Sequence, residues 1–174
     1  ILIGLVGSEM CIRDSSDIDY TALKQLVGRS VQVKEDIVEQ DPFEHGIRKA
    51  LNLGHTVGHA FESMALAENR PVLHGYAVAW GIVCELYLSH LKVGFPKEKM
   101  RQTIQFIKDN YGVFTFDCKK YEQLYAFMTH DKKNTSGTIN FTLLKDIGDI
   151  RINQIADKDT IFEMLDFYRE CMGI

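Results

Sequence analysis

Apolar residues recur three or four positions apart along most of this chain, which is the spacing of a helix with one buried face. Prolines interrupt the pattern at Pro42, Pro71 and Pro96. Because proline disfavours a helical conformation in the residue before it, each of these positions marks the end of a predicted helix. The pattern predicts helices over residues 17–40, 47–69, 75–91, 97–111, 119–129 and 158–172.

Two features refine this helical prediction. The helix predicted over residues 75–91 is apolar on most of its faces, which is typical of a helix in the middle of a bundle. The strand signals come late, where residues 138–144 are rich in β-branched and aromatic side chains and residues 150–152 follow a turn at Gly148. The predicted fold class is therefore mainly α, a multi-helix domain with one small late β-hairpin.

The first fifteen residues do not share this pattern. Gly4 and Gly7 begin no complete GxGxxG or GK[ST] motif, so a phosphate-binding loop is not indicated. The apolar start lacks the charged region that begins a signal peptide. We interpret residues 1–15 as a leader of uncertain origin, natural or an artefact, and residues 16–174 as one helical domain for binding metal and substrate.

Composition excludes several classes of protein. Apolar residues make up 45% of the 174, which is enough for a sizeable core. The net charge of -4 and the lack of a basic stripe argue against nucleic-acid binding. No apolar run approaches the roughly 20 residues that cross a bilayer, so no membrane partner is expected. Four widely spaced cysteines without a CxxC pair fit a reducing, cytoplasmic location.

The candidate chemistry lies in three histidines. His55 and His59 are four residues apart on a predicted helix, so both imidazoles project to one side, as they would to bind a metal or an anion. His74 follows Pro71, and a helical hairpin could return it to the same pocket. Thr56 stands where an HExxH metalloprotease has its glutamate, so that class loses its general base. A purely structural role for each histidine stays open.

Glycines accompany these histidines. Gly54, Gly58 and Gly75 each adjoin one of them, inside or at the start of a predicted helix. Glycine costs about 1 kcal/mol relative to alanine in a helix interior, so a reason for its presence is expected. Room for a ligand and tight packing of one helix on another are both open.

Several motifs in one order resemble a known family. Residues 41–62 read D-P-x-E-x-G-x-R-K-x-L-N-x-G-H-T-x-G-H-A-x-E, residues 74–81 read H-G-x-A-V-A-x-G, and residues 131–134 read D-K-K-N. From about residue 17 to its end the chain resembles the 3-dehydroquinate synthase family. The resemblance implies the C-terminal, multi-helix domain of the dehydroquinate synthase-like fold.

The resemblance also implies roles for individual residues. His55 and His74 would be ligands of a divalent metal, zinc or cobalt, and His59 would contact the substrate and assist proton transfer near its phosphate. Lys34 and Arg48 would join His59 in the catalytic set and would also bind the substrate. The remaining implied substrate contacts are Glu44, Asn52 and one or both of Lys132 and Lys133.

The activity implied by the resemblance is a lyase reaction of the shikimate pathway. NAD and a divalent metal assist the elimination of phosphate from a seven-carbon sugar-acid phosphate, which then cyclises to 3-dehydroquinate. The partner is thus a phosphorylated sugar acid, and the full-length protein is expected to be a homodimer. Open alternatives are another sugar-phosphate cyclase, a metal-dependent polyol dehydrogenase of the same superfamily, and a non-catalytic helical module.

Two parts of the family pattern are not found in this chain. The family has a third metal ligand, a glutamate on an earlier helix, and Glu9 is not a convincing match for it. The dinucleotide-binding domain is missing, so the residues that bind NAD are unknown. We therefore expect this chain to bind metal weakly and to be inactive alone.

Overall fold

The computed structural model describes residues 20–130 and 138–174. The predicted leader, residues 1–15, and the candidate lysines Lys132 and Lys133 lie outside the described residues. Within the described ranges the chain is mainly helical and has one two-stranded antiparallel sheet, which confirms the predicted fold class.

The helices and strands follow the predicted order. They are α1 (Tyr20–Gln40), α2 (His55–Ala67), α3 (His74–Val93), α4 (Lys97–Tyr111), α5 (Tyr121–Thr129), β1 (Asn140–Asp146), β2 (Asp149–Ile155) and α6 (Lys158–Met172). Short 3-10 helices precede α2 and α5, at Ile47–Asn52 and Cys118–Lys120. The bounds of α4 and α6 are those predicted from the sequence. None of the helices in the described ranges has the length and apolar character needed to cross a bilayer.

The residues that the structure describes divide into two compact units, with the boundary between Leu51 and Asn52. In the first unit α1 ends at Gln40 as predicted, and none of its residues is buried. In the second unit α3 packs against α2, α4, β1 and α6. Eleven of the twenty residues of α3 are buried, which confirms its predicted place in the middle of the bundle.

The single helix predicted over residues 47–69 is wrong. The chain instead forms the 3-10 helix Ile47–Asn52, turns at Gly54, and begins α2 at His55. Gly54 has a φ of 80°, a left-handed conformation that no helix interior contains. A Cβ at this position would lie 2.5 Å from Cγ1 of Ile82, so the close approach of α3 also requires glycine. Periodicity along the sequence reports neither constraint.

Glycines bring α2 and α3 into direct backbone contact. A Cβ on Gly58 would lie 3.0 Å from the carbonyl oxygen of Ala77, and one on Gly81 would lie 2.1 Å from that of Gly54. Tight helix packing, one of the two open interpretations, therefore explains Gly54 and Gly58. Gly75 differs, because nothing lies within 4 Å of the position that its Cβ would take.

The hairpin β1–β2 is tied to the helices through side-chain hydroxyls. The hydroxyl of Thr56, in the first turn of α2, donates to the carbonyl oxygen of Asn140 at 3.0 Å. The hydroxyl of Ser89 on α3 donates to Glu85 O at 2.6 Å and accepts from the backbone amide of Leu144 at 3.0 Å. β1 is thereby fixed to both helices that carry the candidate histidines.

Candidate metal and substrate site

Three imidazole rings converge where α2 begins and α3 begins. The ring centroids of His55 and His59 are 5.6 Å apart, those of His55 and His74 are 5.4 Å apart, and those of His59 and His74 are 5.6 Å apart. The first pair comes from the i, i+4 spacing on α2, and the hairpin of α2 and α3 adds the third ring. The structure thus brings together the three histidines that the sequence analysis singled out.

A buried carboxylate holds the start of α2 and so the position of His55. Glu85 on α3 is fully buried. Its Oε2 accepts from the backbone amide of Gly54 at 2.6 Å, and its Oε1 accepts from those of Thr56 and Val57 at 3.1 and 3.3 Å. These amides lie at the N-terminus of α2, where no helical carbonyl is available to them, and the helix dipole favours a negative charge there.

Sequence reasoning missed Glu85. The signal that could have found it is an acidic residue inside the apolar run of α3, because a buried carboxylate needs hydrogen-bond donors. The identity of those donors, some 30 residues earlier in the chain, is decided by the packing of α3 on α2.

Nδ1 of His55 and Nδ1 of His74 each lie within hydrogen-bond distance of an oxygen atom. Nδ1 of His55 lies 3.1 Å from the carbonyl oxygen of Leu53, which can only accept, so this contact is a hydrogen bond in the tautomer with its proton on Nδ1. Nδ1 of His74 lies 3.1 Å from Oε2 of Glu62. In the tautomers that donate from Nδ1, the ring lone pair is on Nε2, as in histidines that bind metals.

The spacing of His55 and His74 fits a shared divalent ion. Nitrogen ligands at about 2.0–2.1 Å with near-tetrahedral angles place two ring centroids roughly 5 Å apart. The observed 5.4 Å agrees with this separation. The described ranges contain no group of three or more His, Cys, Asp or Glu side chains with the geometry of a metal site. The described residues therefore offer a pair of donors suited to an ion.

The other predicted substrate residues lie as follows. Asn52 is half-buried, belongs to the same unit as the histidines and ends the 3-10 helix that precedes α2. In the first unit Lys34 is exposed on α1, Glu44 is half-buried in the loop after it, and Arg48 is half-buried in the 3-10 helix Ile47–Asn52.

Asp41 organises that loop, and sequence reasoning assigned it no role. Its carboxylate accepts from the backbone amides of Gly46 at 2.7 Å, His45 at 3.0 Å and Arg48 at 3.1 Å. These hydrogen bonds, that from Gly46 foremost, lower the pKa of Asp41. Arg48 in turn donates from Nη1 to the carbonyl oxygen of Pro42 at 2.7 Å. Asp41 therefore holds the backbone of Arg48, and the carbonyl oxygen of Pro42 holds its guanidinium.

The pKa of Asp41 leads to a prediction for the loop. Because this pKa is depressed, the contribution of Asp41 to loop stability is present above the ordinary value of 3.8 and is lost as the pH falls through the lower value. We expect the amide NMR shift of Gly46 to titrate with a midpoint below 3.8. In an Asp41→Asn variant this titration should vanish. A Gly46 shift that is unchanged by acid in the unmodified chain would contradict the hydrogen bond between Gly46 and the Asp41 carboxylate.

Comparison with known proteins places these features in a family. Residues 8–134 match the family model described as 3-dehydroquinate synthase C-terminal. The match begins inside the segment that we interpreted as a leader.

Curated relatives point the same way. The 3-dehydroquinate synthase of Parabacteroides distasonis is 60% identical over 98% of this chain and 50% of its own length. That of Leptospira interrogans, serovar copenhageni, is 43% identical over 79% of this chain and 38% of its own length. The chain thus spans about half the length of the curated relatives it matches.

A solved structure shares the fold. It is the crystal structure of 2-deoxy-scyllo-inosose synthase complexed with carbaglucose-6-phosphate, NAD+ and Co2+. Its TM-score is 0.67 and its sequence identity 20%, over 86% of this chain and 41% of the other. The family match covers most of the chain and includes all three histidines, and the chain therefore belongs to the 3-dehydroquinate synthase C-terminal family.

Proposed function

We propose that this chain is the metal- and substrate-binding half of a 3-dehydroquinate synthase. The complete protein would be a carbon–oxygen lyase of the shikimate pathway that eliminates phosphate from a seven-carbon sugar-acid phosphate and cyclises the product to 3-dehydroquinate. The observation that carries the proposal is the convergence of three imidazoles whose centroids are 5.4–5.6 Å apart. In both His55 and His74 the Nδ1 atom lies within hydrogen-bond distance of an acceptor, so Nε2 is the nitrogen that would bind a metal.

In this proposal His55 and His74 hold a divalent metal, zinc or cobalt, through Nε2. The bound metal supplies Lewis-acid chemistry, which lowers the pKa of a substrate hydroxyl. Glu85 fixes the backbone on both sides of His55, and Glu62 contacts Nδ1 of His74, so both donors are restrained before a metal arrives. Such pre-organisation reduces the ordering cost of binding.

His59 is proposed to contact the substrate and to move a proton near its phosphate. It is half-buried, lies one turn from His55, and stacks on His74 with an interplanar angle of 29°. An imidazole can donate or accept a proton near neutral pH, which suits this role.

Cationic side chains are proposed to bind the anionic groups of the substrate. The planar guanidinium of Arg48 can make paired hydrogen bonds to a carboxylate or a phosphate. Lys34, Asn52 and Glu44 complete the proposed contacts, together with Lys132 or Lys133. A substrate held by these contacts meets the catalytic groups inside one complex and does not have to encounter them from solution.

Other parts of the activity are expected to depend on the whole protein. NAD, which supplies reversible hydride transfer without net oxidation of the substrate, is expected to bind to a domain outside this chain. The full-length protein is expected to be a cytoplasmic homodimer with no nucleic-acid partner, and this chain alone is expected to be inactive.

The experiment that tests the metal role is a calorimetric titration of zinc into this chain, a His55→Ala variant and a longer protein that includes the N-terminal half of the family. We expect tight binding by the longer protein with NAD present and weaker binding by this chain. His55→Ala should lose more affinity than the roughly 10–100-fold typical of removing an outer-shell partner.

A matched control is His90→Ala, which removes an imidazole at the other end of α3. Its zinc affinity should equal that of the unmodified chain. If the longer protein binds zinc equally well with and without His55, the metal assignment is wrong and a non-catalytic helical module becomes the better reading.

A second candidate is a sugar-phosphate cyclase with a different substrate, since the structurally similar 2-deoxy-scyllo-inosose synthase was crystallised with a carbocyclic sugar phosphate. Phosphate release by the intact protein separates the two. Release from the seven-carbon acid and not from a neutral hexose phosphate supports our proposal, and the reverse preference supports the second candidate.

A further inference from the structure

Glu62 lies on the face of α2 that carries the histidines. It follows His59 by three residues and His55 by seven, a spacing that stacks all three side chains along one side of the helix. Its Oε2 reaches across to the next helix, where it lies 3.1 Å from Nδ1 of His74. This contact joins the two helices at the site itself.

His74 needs such a contact more than His55 does. The His74 side chain is 52% exposed and belongs to the first residue of α3, where packing restricts it little. Its ring contacts with His55 and His59 do not select which nitrogen carries the proton. A carboxylate acceptor at Nδ1 selects the Nδ1–H tautomer and so leaves the lone pair on Nε2.

The position of Glu62 suits a partner of the ligand better than a ligand. Its oxygen is at hydrogen-bond distance from Nδ1, whereas the nitrogen left for the metal, Nε2, lies across the ring. A carboxylate that accepts from the outer N–H of a metal-binding histidine fixes the ring orientation and raises the basicity of the other nitrogen. The side chain of Glu62 is 30% exposed, so the contact is partly shielded from water.

We propose that Glu62 is a positioning residue that sets the tautomer and the orientation of His74 for metal binding. The inference rests on the proposed metal role of His74. Glu62 is the last residue of the motif at residues 41–62, and its spacing along the sequence does not reveal this role.

The first test needs no metal. At a pH of about 8, above the ordinary histidine pKa, nitrogen-15 NMR distinguishes the two neutral tautomers. We expect the His74 signals to report Nδ1–H in the unmodified chain and to shift toward Nε2–H in Glu62→Ala. Ser63→Ala, which changes the neighbouring residue on α2, should leave them unchanged.

The second test is a titration with Co2+, followed by its visible absorption. Glu62→Ala should lower the affinity by about 10–100-fold, and Glu62→Gln, whose amide oxygen can still accept from Nδ1–H, should recover part of that loss. Ser63→Ala should bind as the unmodified chain does.

The outcomes separate this inference from the proposed function. If cobalt binding depends on His55 but not on Glu62, or the His74 tautomer is the same in Glu62→Ala, the positioning role is wrong while the metal site stands. If Glu62→Gln loses as much affinity as Glu62→Ala, Glu62 does not act through a hydrogen bond. If cobalt binding is indifferent to His55 as well, the proposed function fails and takes this inference with it.

Discussion

Gly81→Ala is expected to lower the free energy of unfolding by about 3 kcal/mol or more, at the upper end of the cost of overpacking. A Cβ at this position would lie 2.1 Å from the carbonyl oxygen of Gly54 and 2.6 Å from the backbone amide nitrogen of Gly58. Both are backbone atoms, so no side-chain rotation can relieve the clash and α2 must move away from α3. Urea unfolding followed by circular dichroism measures the change.

Gly75→Ala is the matched control, because it makes the same chemical change on the same helix. Nothing lies within 4 Å of the position of its new Cβ. We expect its free energy of unfolding to stay within about 0.5 kcal/mol of the unmodified value. Equal unfolding midpoints for the two variants would show that α2 and α3 are not in backbone contact at Gly81.

Glu85→Ala is the second change with a large expected effect, a loss of about 3–5 kcal/mol in the free energy of unfolding. The carboxylate accepts from three backbone amides at the N-terminus of α2, and the alanine variant leaves those buried donors without this acceptor. Each buried donor that loses its acceptor costs about 1–3 kcal/mol, and the vacated volume adds a cavity. The same urea experiment measures this loss.

Two variants show whether the capping contact is the cause. Glu85→Gln keeps an oxygen acceptor but loses the charge and adds an N–H group near the donors, so its loss should be smaller than that of Glu85→Ala. Glu170→Ala removes an exposed glutamate from α6 and should change the free energy of unfolding by less than about 0.5 kcal/mol. A Glu85→Ala variant as stable as Glu170→Ala would refute the capping role.

Both predictions concern the same joint between α2 and α3, and the joint positions the candidate site. Gly54 is the N-cap of α2, contacts α3 through its backbone, and donates a hydrogen bond from its amide to Glu85. His55 is the next residue. A change that moves the start of α2 therefore moves the imidazole of His55 relative to that of His74, so we expect stability and metal affinity to fall together in these variants.

Much of the fold could be predicted from the sequence because the information is local. Apolar spacing and helix-breaking prolines lie within one element, which explains why the predicted bounds of α4 and α6 agree with the structure. The i, i+4 spacing of His55 and His59 likewise required nothing beyond helix geometry, and the order of the motifs indicated the family that the comparisons confirm.

Only the tertiary structure decided how the candidate site is supported. The contacts of Glu85 with Gly54 and of Glu62 with His74 join residues 31 and 12 positions apart in the sequence. The glycines beside the histidines were visible in the sequence, but the choice between ligand room and tight packing depended on which backbone lay opposite. Periodicity shows which face of a helix is buried, whereas donors, acceptors and close approaches are set by the neighbour that the fold brings to that face.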